Sequence, residues 1–242
     1  MSRSLRRVEL TPGYILHHQP WRDTSRILEV FTGEYGRLSL FARAVRGPGA
    51  RLAPVLQPFR PLLISFSGRG EAAHLSHAER ADDCGALPPQ RVLAAFYLNE
   101  LLLRLTTRHD PQPALFEHYH LTLAALRGAT PLEPVLRLFE KRLLELTGYG
   151  VELAAEASGA PLAADGYYLF RPAMGLMRTE ARAPGALAGD SLIGLRAERL
   201  EGARALEDAR RVLQAALAAC LEGRPLATRA VARSMARKAA RS

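Results

Sequence analysis

Residues 36–51 read Gly36-Arg37-Leu38-Ser39-Leu40-Phe41-Ala42-Arg43-Ala44-Val45-Arg46-Gly47-Pro48-Gly49-Ala50-Arg51. The first half alternates with a period of two, as a strand with one buried face does. Leu38, Leu40 and Ala42 point one way, toward a core. Arg37, Ser39, Phe41 and Arg43 point the other way. The strand then enters a Gly-Pro-Gly loop that holds Arg46 and Arg51. The stretch contains no carboxylate, so its charge has no local partner. Arginines beside an aromatic ring suit a nucleic-acid strand, with phosphates on Arg and bases stacked on Phe41. The same pattern also fits an edge strand whose charges keep it soluble.

The neighbouring segments extend this reading to a β domain. Val8–His18 reads as a first strand, with a bulge or kink at Pro12-Gly13. Ser25–Thr32 reads as a second, and a four-residue turn, Gly33–Gly36, joins it to the basic strand as a hairpin over 25–43. Trp21-Arg22 falls in the loop between the first two strands. Pro61–Ser67 and Ala72–His77 form another hairpin across Gly68-Arg69-Gly70. Five short strands without an intervening helix suit a small closed barrel such as an OB-fold, and an SH3-like barrel fits the same pattern.

From Pro88 the period changes to that of helices. Residues 90–107 are apolar over most of a helical circumference and form a central helix. Leu115, Tyr119, Thr122, Leu123 and Leu126 line a second helix that Gly128 stops. Thr130 as N-cap, Pro131 at the first position and Glu133 as partner of a capping box open a third. Its apolar face is Leu136, Phe139, Leu143 and Leu146. Residues 149–200 are rich in Gly, Ala and Pro, with Tyr167–Phe170 as a short strand. Ala203–Leu221 is an amphipathic helix. The tail 224–242 carries Arg224, Arg229, Arg233, Arg237, Lys238 and Arg241 and no acid. Arg229, Arg233, Arg237 and Arg241 fall four apart and share one face if helical, where like charges repel, so the stripe suits an anion. A solvated terminus fits it too.

The chain has 242 residues and a net charge of +9, which points to a polyanionic partner. Lys141 and Lys238 are its only lysines, so the arginine bias also reflects composition. No signal peptide opens it, and no run approaches the ~20 apolar residues of a membrane span. Two distant cysteines, Cys84 and Cys220, make neither a disulfide framework nor a zinc site. These features indicate a soluble protein of a reducing compartment. No phosphate-binding glycine loop, His-Glu-x-x-His or Gly-x-Ser-x-Gly occurs. His74 with His77, His118 with His120, and Asp82-Asp83 lack the partners that would complete a metal site. The expectation is a non-enzymatic binding protein without cofactors.

The ordered segments Gly36–Gly47, Leu56-Gln57-Pro58-Phe59, Phe96–Leu105, Phe139–Gly150 and Gly223–Arg229 resemble the RecO family of bacterial recombination mediators and DNA-repair proteins. The resemblance covers nearly the whole chain and is poorest in 151–205. It implies an α+β architecture: an N-terminal five-stranded OB-fold over 1–82, an α-helical domain over 83–150 and 203–242, and a small β-containing insertion over 151–202. It implies binding of single- and double-stranded DNA, annealing of complementary strands, and help in loading RecA onto DNA coated by single-strand-binding protein (SSB). RecR and the acidic C-terminal tail of SSB are the implied partners, and the implied location is the cytoplasm, at the nucleoid. The reading taken from residues alone leaves an OB-fold RNA-binding module as the alternative.

Carried over residue by residue, the DNA-binding residues are Arg37, Arg43, Arg46 and Arg51; the reading of the residues themselves adds Phe41 as a stacking surface, Arg22 beside Trp21 as a further contact, and Arg229, Arg233 and Arg237 of the tail. An acidic SSB tail ending in an apolar residue would need a hydrophobic groove rimmed by arginines. Arg104, Arg108, Arg137, Phe139 and Arg142 are the candidates for it. Many family members hold zinc on two Cys-x-x-Cys pairs after the Gly148-Tyr149-Gly150 segment. Here those positions fall on Ala155 and Ser158 and near Arg178 and Ala181, so zinc is not expected. The chain resembles the metal-free proteobacterial branch, in which other packing must hold 151–182 together.

Overall fold

The computed structural model describes residues 7–43, 45, 52–68 and 73–239. Five strands open the chain: β1 (Val8–Trp21), β2 (Ser25–Thr32), β3 (Gly36–Ala42), β4 (Leu62–Ser67) and β5 (Ala73–Arg80). They close into a barrel in the order β1-β2-β3-β5-β4, with β1 against β4. Only the β3–β5 pair is parallel. This order and this closing pair are those of an OB-fold and settle the choice left open by strand count. The alternation read in the basic strand holds: Leu38, Leu40 and Ala42 are buried inside the barrel. Ile15, Leu28, Val30, Leu62, Ile64 and Phe66 complete that core, with Val45 and Leu56 packed into it.

Two details of the barrel differ from expectation. The irregularity of β1 against β4 lies between Val8 and Thr11, where Leu10 takes a positive φ of 47°. Pro12 and Gly13 stay in register with Leu63 and Leu62, because a proline that donates nothing is tolerated where the pairing already slips. The β2–β3 turn has three residues rather than four, and Gly36 pairs with Thr32. Gly36 has φ +66°, the left-handed position that closes a three-residue hairpin. Thr32 Oγ1 ties the turn by donating to Gly36 O at 3.1 Å and accepting from Tyr35 N at 3.1 Å. The resulting register sets Glu29 opposite Ser39 and Phe31 opposite Arg37.

Three helices follow: α1 (Pro89–Leu105), α2 (Pro113–Arg127) and α3 (Leu132–Leu146). The chain divides into two compact units, one comprising residues up to Ala129 with those from Ser234 on, the other Thr130–Arg233. The barrel ends near residue 80, yet α1 and α2 belong with it. Tyr14 and Phe31, on the outer face of β1 and β2, pack against Phe116 and Tyr119 of α2. Asn99 of α1 donates to Leu16 O at 2.8 Å and accepts from Tyr119 OH at 2.5 Å. Tyr14 OH meets His120 Nδ1 at 2.6 Å. Burial raises the pKa of both phenols, so they stay protonated. The buried set of α2 is the one its spacing predicts.

In the second unit, α3 begins one residue later than expected, at Leu132, and no side chain caps it. A start capped by Thr130 would require a hydrogen bond from the N–H that Pro134 lacks. Starting at Leu132 puts Pro134 among the first-turn positions whose N–H groups have no helical partner. A three-stranded sheet, β7-β6-β8, is built from β6 (Tyr167–Arg171), β7 (Gly175–Thr179) and β8 (Leu187–Ala188). Then come α4 (Gly189–Arg196), α5 (Gly202–Cys220) and α6 (Ala227–Ala239), of which α6 crosses the division between units. Tyr168, Leu176, Leu192, Leu195, Leu213 and Leu217 are fully buried in this unit.

Candidate nucleic-acid interface

The outer face of β1-β2-β3 has two ends with different fates. At the turn end Arg37 is engaged. Its Nη1 lies 3.3 Å from Glu29 Oε2 and its Nη2 donates to Thr106 O at 2.9 Å. Arg108 Nη2 reaches the other Glu29 oxygen at 2.5 Å. Burial lowers the Arg37 pKa, and Glu29 opposes that shift. The segment after α1 covers this end: His109 N donates to Arg37 O at 2.9 Å and Gln112 N to Gly33 O at 3.0 Å. Gly36 makes this approach possible, because a Cβ there would run into the backbone of Asp110. Arg37 therefore has the partner that its own segment lacks, and it leaves the candidate contact set. Glu29 sits diagonally across the hairpin, on the same outer face.

At the other end the face is open. Phe41 is half-buried and lies between two rings: Trp21 at 5.9 Å and 71°, and His74 at 5.9 Å and 39°. Trp21 is 43% exposed and is the last residue of β1, paired with Ser25, rather than part of a loop. Arg22 follows it in the turn with φ 52° and is exposed, as is Asp23 beside it. Arg43, one residue beyond β3, is exposed and makes no ion pair among the described residues. Arg46 and Arg51 lie outside the described residues. Sequence reasoning weighed His74 as a metal ligand, set that role aside and gave it no other; the alternation of β5 was the signal that places it outward beside Phe41.

The arginine tail forms a helix over Ala227–Ala239. Arg233 and Arg237 are exposed along it, and Arg229 is half-buried. Val231 and Met235, exposed by 48% and 60%, fall on the opposite side of the same helix.

The expected arginine-rimmed groove does not form as drawn. Phe139 is completely buried. Arg137 is buried too, 3.0 Å from the buried Glu140. Arg142 is exposed and bridges Glu145 and Glu198 at 3.2 Å each. The α3 face holding Arg137 and Lys141 packs inside its own unit; Lys141 lies 2.9 Å from Glu145 and 3.1 Å from Glu198. Arg104 and Arg108 belong to the other unit, 3.9 Å from Glu100 and pinned on Glu29 respectively.

Ala155, Ser158, Arg178 and Ala181 offer no thiolate, and these residue types do not fit a zinc ion. Backbone hydrogen bonds tie this segment instead. Glu156 N donates to Ala160 O at 2.9 Å, Ala157 N to Leu176 O at 2.6 Å and Ala163 N to Tyr168 OH at 2.8 Å. Gly189 closes it, since a Cβ there would strike the carbonyl of Ala163. Among the described residues no helix is long and apolar enough to cross a membrane.

The family model "Recombination protein O N terminal" matches residues 7–83, and "Recombination protein O C terminal" matches residues 88–230. The chain is 41% identical over 229 residues to the DNA repair protein RecO of Methylococcus capsulatus, covering 94% of each chain. It is 40% identical to that of Nitrosococcus oceani, over 96% of this chain and 95% of the relative. It is 39% identical to that of Pseudomonas putida, over 90% and 94% respectively. With an OB-fold barrel, the following helices and these matches along nearly its whole length, the chain belongs to the RecO family of DNA repair and recombination proteins.

Proposed function

We propose that this protein is a non-catalytic mediator that binds single- and double-stranded DNA, anneals complementary strands and helps load RecA onto SSB-coated DNA together with RecR. The observation that carries this reading is the open end of the barrel face, where Arg22 and Arg43 are exposed around Phe41 on a protein of net charge +9. Guanidinium groups there neutralise phosphates and release condensed counterions. Arg46 and Arg51 extend the same basic loop in sequence. Arg233 and Arg237 on α6, with Arg229, offer a second cationic element. Neutralising the backbones of two strands lowers their mutual repulsion and leaves base edges free to pair. No sequence preference follows, because phosphate contacts position a strand without reading its bases. The acidic SSB tail is drawn to the same cationic character. Of the five residues first considered for it, exposed Arg104, Arg108 and Arg142 remain candidates for contact. Arg137 and Phe139 shape the unit from within.

The test is annealing of two complementary labelled strands without ATP, bare and then coated with SSB. Acceleration of both is expected. Acceleration of bare strands alone would reduce the protein to a phosphate-screening polycation, and no acceleration would overturn the reading. Arg22→Glu with Arg43→Glu is expected to weaken single-strand binding tenfold or more, about 1.4 kcal/mol, and to flatten its salt dependence. Unchanged affinity in the folded double variant would remove this face from the site.

A further inference from the structure

We propose that Trp21, Phe41 and His74 form a stacking platform for unpaired bases, so that this end of the barrel selects a single strand over a duplex. The inference rests on the barrel being a nucleic-acid-binding domain and adds what the site recognises.

The three rings come from β1, β3 and β5 and meet on the outer surface of one sheet. The parallel β3–β5 pair sets His74 directly beside Phe41. Trp21 packs its edge against Phe41 and still keeps 43% of its surface exposed. The same outer face carries aromatics at its other end, and there the fold hides them: Tyr14 and Phe31 are fully buried against Phe116 and Tyr119. The helices thus cover the aromatics at one end, and among the described residues the rings at the other end stay exposed or half-exposed.

The charge around the bare end indicates its occupant. Arg22 directly follows Trp21, Arg43 stands two residues after Phe41, both are exposed, and Asp23, in the turn with Arg22, is the adjacent acid. An unpaired nucleic-acid strand matches this surface in two ways: its phosphates suit the exposed Arg43, and its free π-faces suit the rings. Stacking of this kind contributes about 1–3 kcal/mol per base and tolerates any base. A duplex offers the same phosphates, but its base faces are already stacked on one another. Arginine contacts therefore serve both forms of DNA, and the platform serves one.

Trp21 is the only tryptophan of the chain, so its emission reports on the platform alone. The intact protein is titrated with oligo(dT), with a blunt duplex of equal length and with inorganic polyphosphate, and binding is followed independently by anisotropy or competition. Oligo(dT) is expected to quench Trp21, whereas duplex and polyphosphate bind without quenching it. Equal quenching by all three, or binding of oligo(dT) with no quenching, overturns the platform. Trp21→Ala and His74→Ala are each expected to weaken oligo(dT) binding about tenfold, near 1.4 kcal/mol, with duplex affinity within about twofold. His74→Ala retains the fluorophore and tests the platform even if Trp21→Ala fails to fold. Parallel loss for both DNA forms, or no loss for either, overturns the proposal while the nucleic-acid reading stands. A wild-type protein that binds neither form overturns that reading itself.

Discussion

The two ends of β3 carry the same residue type to different ends. Arg37 and Arg43 stand on the same outer face of one hairpin. Arg37 is held between Glu29 and Thr106 O beneath the segment that follows α1. Arg43 is exposed. Nothing in the side chain distinguishes them. The difference comes from a cross-strand carboxylate at one end and from α1, α2 and residues 106–112, which arrive some seventy positions later. A basic residue on a strand face is thus a contact candidate only after the elements covering that face are known. The same holds for the aromatics: Phe31 is hidden and Phe41 is half-open.

That contrast can be broken at several points. The largest effect is expected from Gly36→Ala, which puts a Cβ into the Asp110 backbone at a position of φ +66°. We expect a loss of about 3 kcal/mol, read from the urea midpoint. A neutral substitution would mean that the turn is not clamped by the 106–112 segment. Arg37→Ala should cost less, about 1–2 kcal/mol, because the mostly buried Glu29 loses one of its two guanidinium partners and keeps Arg108, while Thr106 O loses its donor. In the fraction that folds, single-strand affinity should be unchanged. If Arg37→Ala instead weakened binding as much as loss of Arg43, the two ends would be equivalent and the comparison would fail.

Arg43→Ala should leave stability within about 0.5 kcal/mol. The slope of log affinity against log salt should become shallower by about one unit, the share of a single phosphate contact. An unchanged slope would place Arg43 away from the backbone of the bound strand. The smallest effect concerns pH. Burial first, and then Arg26 and His17, hold the His18 pKa below its ordinary 6.5. The folded protein then takes up a proton at His18 less readily than the unfolded chain does. Stability should be complete above about pH 6.5 and decline as pH falls through the lowered value. His18→Gln should flatten that acid limb in a series of urea melts. An identical limb in the variant would assign the acid sensitivity elsewhere.

Much of the molecule was readable from periodicity. The inward triplet of β3 and the buried face of α2 follow from spacing alone. The candidate site was readable in part. Arg43 and Phe41 could be placed on an outer face because side chains alternate along a strand. The partner of Arg37 could not be found within its own segment, and a hairpin turn one residue too long obscured the register that brings Glu29 diagonal to it. Phe139 and Arg137 looked like a groove because a helical pattern gives the spacing of a face and not what packs upon it. In fact α3 buries Phe139 together with Arg137, Glu140 and Lys141.

By itself the sequence determined the order of elements, the faces of β3 and α2, the basic character and the family, since each depends on local spacing or on residue identity. The tertiary structure alone decided which arginines are spent on carboxylates and which stay exposed. It also decided which aromatics are covered by helices and which meet at a barrel surface. The physical reason is that burial and ion pairing are properties of neighbours in space. Here those neighbours, Glu29 with Arg108, α2 with Phe31, and His74 with Phe41, come from distant parts of the chain.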